Sequence, residues 1–379
     1  MAKWTLGAVG DVFVNRENAN DAFFGSSDLL HQLDLVFGNC EGAYTDHPHF
    51  APSAGWRVVS PQSNGSGLAK AGFDVMALAN NHIIDGGHEG LTDTLNLLHS
   101  QGIKTVGAGA SLSEATAAAI IEQRGIKIGF LGFASVYPAG YQAHPSTPGL
   151  APMRVHYFIE SSYGLEPGVP PDIRTFPYPE DVESLRSLIG DLRKKADVVV
   201  VSHHWGQCRP SYLTEYERLL GYASIDAGAD VVLGHHHHFL RGIEIYRGKP
   251  IFYGLGHFVF DLAGPEFAQC GYLLRELGEY AIYPRDGYPL LPFHADARMT
   301  LVGACNFEGV QMASAGFFPC LINPDNHAIP LKQGDSRAQE IVDYMSKISA
   351  DAGLQMSYAP ISERFGFAYS RVSAPHEQK

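Results

Sequence analysis

The sequence predicts an α/β fold with helices packed outside the strands. Three observations predict it. Apolar runs of strand length alternate with segments of helical apolar spacing, the pattern of strands joined by crossover helices. Polar residues stand just after five of those apolar runs, where open α/β sheets place their ligand crevice. Apolar residues make up 45% of 379 positions, enough for a substantial core.

The elements follow in order. Residues 4–9 form a strand stopped by Gly10-Asp11, and residues 28–34 a helix. Residues 35–37 are a buried strand ending at Gly38-Asn39-Cys40-Glu41. A helix over 64–71 precedes a strand over 73–79, which ends at Asn80-Asn81-His82 with Asp85 just beyond. Residues 91–101 have helical spacing and Gly102 stops them; a short strand over 105–106 and a helix over 113–118 follow. Residues 119–122 and 127–132 read as a hairpin across Gln123-Arg124-Gly125. Residues 137–180 are rich in proline and aromatics and poor in periodicity, so a functional insertion or long loop is expected. An amphipathic helix over 180–195 leads to a strand over 197–202, which ends at His203-His204-Trp205. A helix over 216–227 precedes the run Val231-Val232-Leu233-Gly234 and then four histidines, 235–238. Strands are expected over 242–246 and 250–253, and in the tail over 271–277, 279–283, 298–305 and 309–316, with a helix over 336–348. Residues 1–330 read as one domain, and 331–379 as a C-terminal helix and tail packed on it.

A net charge of −13 argues against a nucleic-acid partner or an anionic membrane surface. Five scattered cysteines without a CxxC pair suggest neither a disulfide framework nor a zinc knuckle. No apolar window reaches a membrane-spanning length, and the residues before Asp11 are too few and too polar for a signal peptide. A soluble, cytoplasmic protein is expected, with its oligomeric state open.

The five polar strand ends hold the chemistry. Asp11, Asn39 with Glu41, Asn81 with His82, His204, and His236 with His238 would gather carboxylates, carboxamides and imidazoles. Mixed oxygen and nitrogen donors suit a hard or borderline divalent cation. In extended backbone, side chains alternate faces, so His236 and His238 would share one face and His235 and His237 the other. Residues 235–238 could instead be a histidine-rich surface loop, Asp11 a helix cap, and Asn80-Asn81 a turn. The convergence of five such ends favours a metal site.

The order and spacing of Gly10-Asp11-Val12, Asn39-Cys40-Glu41-Gly42, Asn80-Asn81-His82 with Asp85, His204-Trp205-Gly206, Gly234 with His235–His238, and the segment from Tyr253 to Asp261 resemble the CapA family. These are poly-γ-glutamate capsule proteins related to calcineurin-like metallophosphoesterases. The resemblance spans residues 4–262. It implies a four-layer α/β/β/α sandwich with a metal centre at one sheet edge. Metal ligands carried over are Asp11, Asn39, Glu41, Asn81, His204, His236 and His238. His82 takes the proton-donor position, oriented by Asp85. The chain departs from the related phosphoesterases at Phe13, where they carry a histidine two residues after the aspartate, and at Asn39, where they carry a bridging aspartate. His257 stands where the family has asparagine. The departures imply one metal ion or two loosely held ones; manganese, zinc, calcium, magnesium and iron are not distinguishable.

Such a site allows two chemistries. One is hydrolysis of an amide, ester, lactone or phosphoester in a small organic or peptide substrate, with His82 as general acid. The other is exchange of a Cα proton by an epimerase or racemase, for which His82/Asp85 and His257/Asp261 are candidate pairs. A metal-stabilised binding module for an acidic peptide is a third reading, disfavoured by the acidic surface. Hydrolysis is the expectation. His82, Asp85, His257 and His204 are the catalytic candidates; Trp205, Arg241 and Tyr137 are the candidates for contacting substrate.

Overall fold

Two sheets lie face to face in a computed structural model, which describes residues 2–52, 55–160, 172–208, 211–262 and 278–375. The first sheet holds eleven strands among the described residues. Its central strand, Lys3–Phe13, is flanked by Leu35–Cys40 in parallel and Met299–Glu308 antiparallel, with Val75–Ala77 and Lys104–Val106 beyond Leu35–Cys40. The second sheet runs in the order Ile243–Tyr246, Lys249–Phe252, Val231–His235, Val198–His204, Ile126–Ala134, Ala119–Gln123.

Strand residues buried on both faces make each sheet a two-sided support. Leu6, Phe37 and Val75 of the first sheet meet Phe130, Val200 and Leu233 of the second in one apolar cluster. The Phe37 and Phe130 rings stack across the gap at 5.9 Å. On the outer face of the first sheet, Val36 and Met76 pack with Leu91 and Leu98 of the helix Gly87–Ser100. On that of the second, Val199 and Val201 pack with Leu185 and Ile189 of the helix Pro179–Arg193 and with Leu220 of Glu215–Ala227. The layering is α/β/β/α, as the motifs imply. The C-terminal helix Ser336–Asp351 adds Ile341, Met345 and Ile348 to the cluster between the sheets. The tail strand Phe367–Ser373 joins the first sheet beside Gln311–Ile322.

The central strand is irregular where it matters. Its pairing with Leu35–Cys40 shifts between Ala8 and Asp11, and Asp11 comes opposite both Asn39 and His257. Such irregularities re-aim side chains. Gly10 permits the close approach: a Cβ there would lie 1.8 Å from the Gly256 carbonyl oxygen, which accepts from the Asp11 amide at 2.9 Å.

Several expected elements differ. The helix expected over 28–34 is only Ser27–Leu30, because Asp34 turns to the central strand. Its carboxylate accepts from the Thr5 amide at 2.9 Å and its amide donates to the Thr5 carbonyl at 3.1 Å. The insertion 137–180 is more regular than expected: Val155–Glu160 and Asp172–Pro177 form an antiparallel hairpin. Tyr157, Phe158, Ile159, Ile173 and Phe176 are all exposed, so no in–out alternation marks it. The strand expected over 279–283 is absent. Gly278–Tyr280 is a 3₁₀ turn, and the Arg285 guanidinium donates to the Glu279 and Ala281 carbonyls that a strand partner would use. The strand expected over 271–277 lies outside the described residues.

Candidate metal centre

The carboxyl ends of both sheets meet at one edge. The first sheet delivers Asp11 at the end of its central strand, Asn39 and Glu41 at the end of the next, and Asn81 and His82 after Val75–Ala77. The second delivers His204 and His235, which lie opposite each other in parallel register, and then His236–His238. His257 opens the strand that pairs with the central one.

These side chains form two groups. Asp11, His238 and His257 are one; Glu41, His204 and His236 are the other. In each group, one ligand atom per residue lies within 4.8 Å of the others. Glu41 Oε1 and His238 Nε2, 3.7 Å apart, link them. Asn39 sits between, its Nδ2 donating to Asp11 Oδ1 at 2.9 Å and facing Glu41 Oε2 and His204 Nδ1 at 3.4 Å each. Asn81 Oδ1 is 2.7 Å from His204 Nε2.

Buried polar atoms are normally hydrogen-bonded. Asp11 Oδ2, Glu41 Oε1, Nδ1 of His236 and His238, and both ring nitrogens of His257 and His235 are buried without a hydrogen-bond partner. A cation would satisfy such a set, so these residues fit a divalent metal.

The electrostatics agree with that fit. Burial holds the His204, His236 and His257 imidazoles well below their ordinary pKa, helped by neighbouring imidazoles. They are therefore neutral at pH 7, the form that binds metals. Burial raises Glu41, with Asp11 adding repulsion. Burial alone would raise Asp11 too, but its contacts with His235 and His238 carry it well below the usual carboxylate range. A cation beside Glu41 would offset both its burial and the repulsion from Asp11.

The histidine run is not an extended strand. The strand ends at His235, and His236 and His238 adopt positive φ of 99° and 60°. The alternation expected for 235–238 therefore does not arise from strand geometry, although His236 and His238 still reach the two groups. His235 also faces the site, its Nδ1 3.6 Å from Asp11 Oδ1. His237 turns away, its Nε2 3.0 Å from Glu217 Oε1.

His82 borders the second group. Its Nδ1 lies 2.7 Å from Asp85 Oδ2. Asp85 is held in turn by the Tyr141 hydroxyl at 2.7 Å and the Val58 amide at 2.8 Å. His257 forms no such pair. The Asp261 carboxylate instead accepts from the Arg16 guanidinium, the Asn15 amide and Asn326 Nδ2.

The candidates for contacting substrate lie elsewhere. Trp205 is fully buried and donates to the Tyr253 carbonyl at 2.9 Å. Arg241, also fully buried, donates to the Gln207 carbonyl at 2.9 Å and faces Glu217. Tyr137 lines a separate cavity of about 770 Å³ against the helix Pro179–Arg193. The cavity at the metal centre, about 410 Å³, is lined by Asn81, His82, Asp85, His236 and His238 with Trp56, Val58, Phe260, Ile282 and Phe293. Sequence reasoning missed Asn80, whose amide donates to Asn39 Oδ1 and the Cys40 carbonyl while its Oδ1 accepts from the His82 amide. It also missed Phe293, which follows no motif.

Residues 5–262 match the family described as bacterial capsule synthesis protein PGA_cap. The chain belongs to that family. PGA_cap proteins fall in the calcineurin-like metallophosphoesterase superfamily. Within PGA_cap, the chain is 33% identical to "PGA biosynthesis protein CapA" of Bacillus subtilis, over 67% of this chain and 62% of that protein. It is 36% identical to a probable polyglutamine synthesis accessory protein of Mycobacterium tuberculosis over half of this chain. An uncharacterized Sinorhizobium fredii protein is 27% identical over 96% of this chain and 92% of that one. The chain thus spans less than two thirds of the Bacillus subtilis relative. A hypothetical protein from Thermus thermophilus superposes with a TM-score of 0.47 at 17% identity, covering 83% of this chain and 98% of that one. No helix among the described residues is long and apolar enough to cross a membrane.

Proposed function

We propose that the chain is a metal-dependent hydrolase of an amide, ester, lactone or phosphoester in a small organic or peptide substrate. The observation that carries this reading is the His82–Asp85 pair at 2.7 Å beside the second ligand group and on the wall of the cavity. Asp11, His238 and His257, or Glu41, His204 and His236, would hold a divalent ion, which would supply Lewis acidity and water activation at neutral pH. The protein's own residues supply the rest. Asp85 fixes the His82 ring through Nδ1, leaving Nε2 to hand a proton to the leaving group. Tyr141 and the Val58 amide hold Asp85, so the proton donor cannot swing away. Asn39 holds the two carboxylates between the groups.

The alternative, exchange of a Cα proton, calls for an acid/base group on each face of the carbon. The His82–Asp85 pair fits one face. For the other, His257 lacks its expected carboxylate, since Asp261 is engaged by Arg16. Hydrolysis needs only the first pair and is therefore preferred.

The test is turnover in heavy-oxygen water and, in parallel, in deuterated water. Hydrolysis places one solvent oxygen in the product, and His82→Asn lowers kcat by roughly 10²–10⁴ with metal content unchanged. Solvent deuterium at Cα without oxygen incorporation would overturn the proposal in favour of the epimerase.

A further inference from the structure

The cavity at the metal centre has two unlike sides. Over the group Glu41, His204 and His236 it is polar, with Asn81, His82 and Asp85. Over the group Asp11, His238 and His257 it is aromatic. The Phe293 ring lies 4.4 Å from that of His257 and 4.8 Å from that of His238. The Phe260 ring lies 5.1 Å and 5.0 Å from the same two. Leu262, Ile282 and Trp56 add apolar surface to the same cavity, and Val58 reaches it beside Asp85, to which its amide donates at 2.8 Å.

Part of this apolar surface lies outside the family match. The match ends at residue 262, whereas Ile282 and Phe293 come later in the chain. The ligand groups belong to the shared region; part of the surface that meets the rest of a substrate does not.

We infer that the cavity takes a carboxylic ester or amide whose acyl group is apolar or aromatic, seated against Phe293, Phe260 and Ile282, with its leaving group toward His82. The inference rests on the hydrolytic reading for its reaction but not for its binding site. In that reaction water adds to the acyl carbon, and the bond from that carbon to the leaving oxygen or nitrogen breaks. The His82 proton goes to the leaving atom, and His82 regains a proton from the attacking water. The products are a carboxylic acid and an alcohol or amine, with no change of oxidation state. Apolar walls favour such acyl groups because burying their surface is worth about 25 cal/mol per Å². A polyanionic substrate gains nothing from them.

The test is calorimetric binding to the full chain loaded with Mn²⁺ or Zn²⁺, using acetate, phenylacetate, glutarate and inorganic phosphate as probes. Phenylacetate is expected to bind at least about 10-fold tighter than acetate, within the range one extra apolar contact gives in such pockets. Ile282 is only half-buried, so Ile282→Asn should fold; it should erase that preference and, adding no charge, leave phosphate binding and metal content unchanged. Phe293→Leu, which keeps an apolar residue, should weaken phenylacetate less than Ile282→Asn does. Equal binding of acetate and phenylacetate, glutarate as the tightest carboxylate, or no binding of any carboxylate overturns the inference. Hydrolysis of ethyl phenylacetate, phenylacetamide, a phenyl-substituted lactone and phenyl phosphate is followed in parallel. Binding preference without turnover of any of them would sink the hydrolytic reading alone; turnover without preference would sink this inference alone.

Discussion

Glu217 carries a fully buried charge pair behind the site. It is fully buried on the helix Glu215–Ala227. Its Oε2 accepts from the Thr214 amide at 2.8 Å and hydroxyl at 2.7 Å, closing a capping box. Its Oε1 meets His237 Nε2 at 3.0 Å and lies 3.8 Å from Arg241 Nη2. His237 is held between two candidate ligands, its pKa lowered to about 4 by burial and then by Arg241. It is therefore neutral at pH 7, and Arg241 is the charge that Glu217 compensates. At 3.8 Å and an effective dielectric of 20, that attraction is about 4 kcal/mol. Glu217→Gln keeps the cap acceptor and removes the charge, leaving Arg241 buried and uncompensated. The expected loss is about 3–4 kcal/mol, against a total stability of roughly 5–15 kcal/mol. Glu217→Ala also removes the cap, worth about 1 kcal/mol more. Urea unfolding with the protein metal-free gives these differences. Glu217→Gln combined with Arg241→Gln should recover part of the loss, because the two sites are coupled. A loss below about 1 kcal/mol for Glu217→Gln would refute the reasoning.

His203, stacked at 4.7 Å on Trp205 and 3.1 Å from the Ser224 hydroxyl, has its pKa lowered by burial to about 3. Between that value and its unfolded 6.5 the unfolded chain binds the extra proton, so stability rises with pH, by up to about 1.4 kcal/mol per unit; His203→Phe should flatten the metal-free stability curve there, and parallel curves would contradict it. Tyr141→Phe removes one of the bonds holding Asp85. It should lower kcat by a few-fold to about 10-fold with KM and metal content unchanged; a changed metal content would mean that Tyr141 serves the ligands instead.

The layered fold was legible because apolar runs and helical spacing alternate, and because Val36/Phe37 and Val199/Val200 each serve both faces of a strand. The gathering of polar strand ends was legible for the same reason: Asp11 and Asn39, and His204 and His235, are paired in register. What the sequence hid depends on backbone and partners far along the chain. The positive φ of His236 and His238 leaves no periodic trace, so strand alternation was the wrong guide to the run. Asp261 lies four residues after His257 yet answers to Arg16, 245 positions earlier. Phe293 joins the site only through packing on His238 and His257. The hairpin within 137–180 escaped notice because its apolar residues are exposed.

The proposed chemistry rests on divalent metal held by one or both groups of three side chains. Elemental mass spectrometry after chelation and reloading tests this, on protein purified without nickel resin. One or two ions per chain are expected, with at least one lost in His257→Ala or in His236→Ala. Full occupancy in both variants, or no metal retained by the unaltered chain, would contradict it.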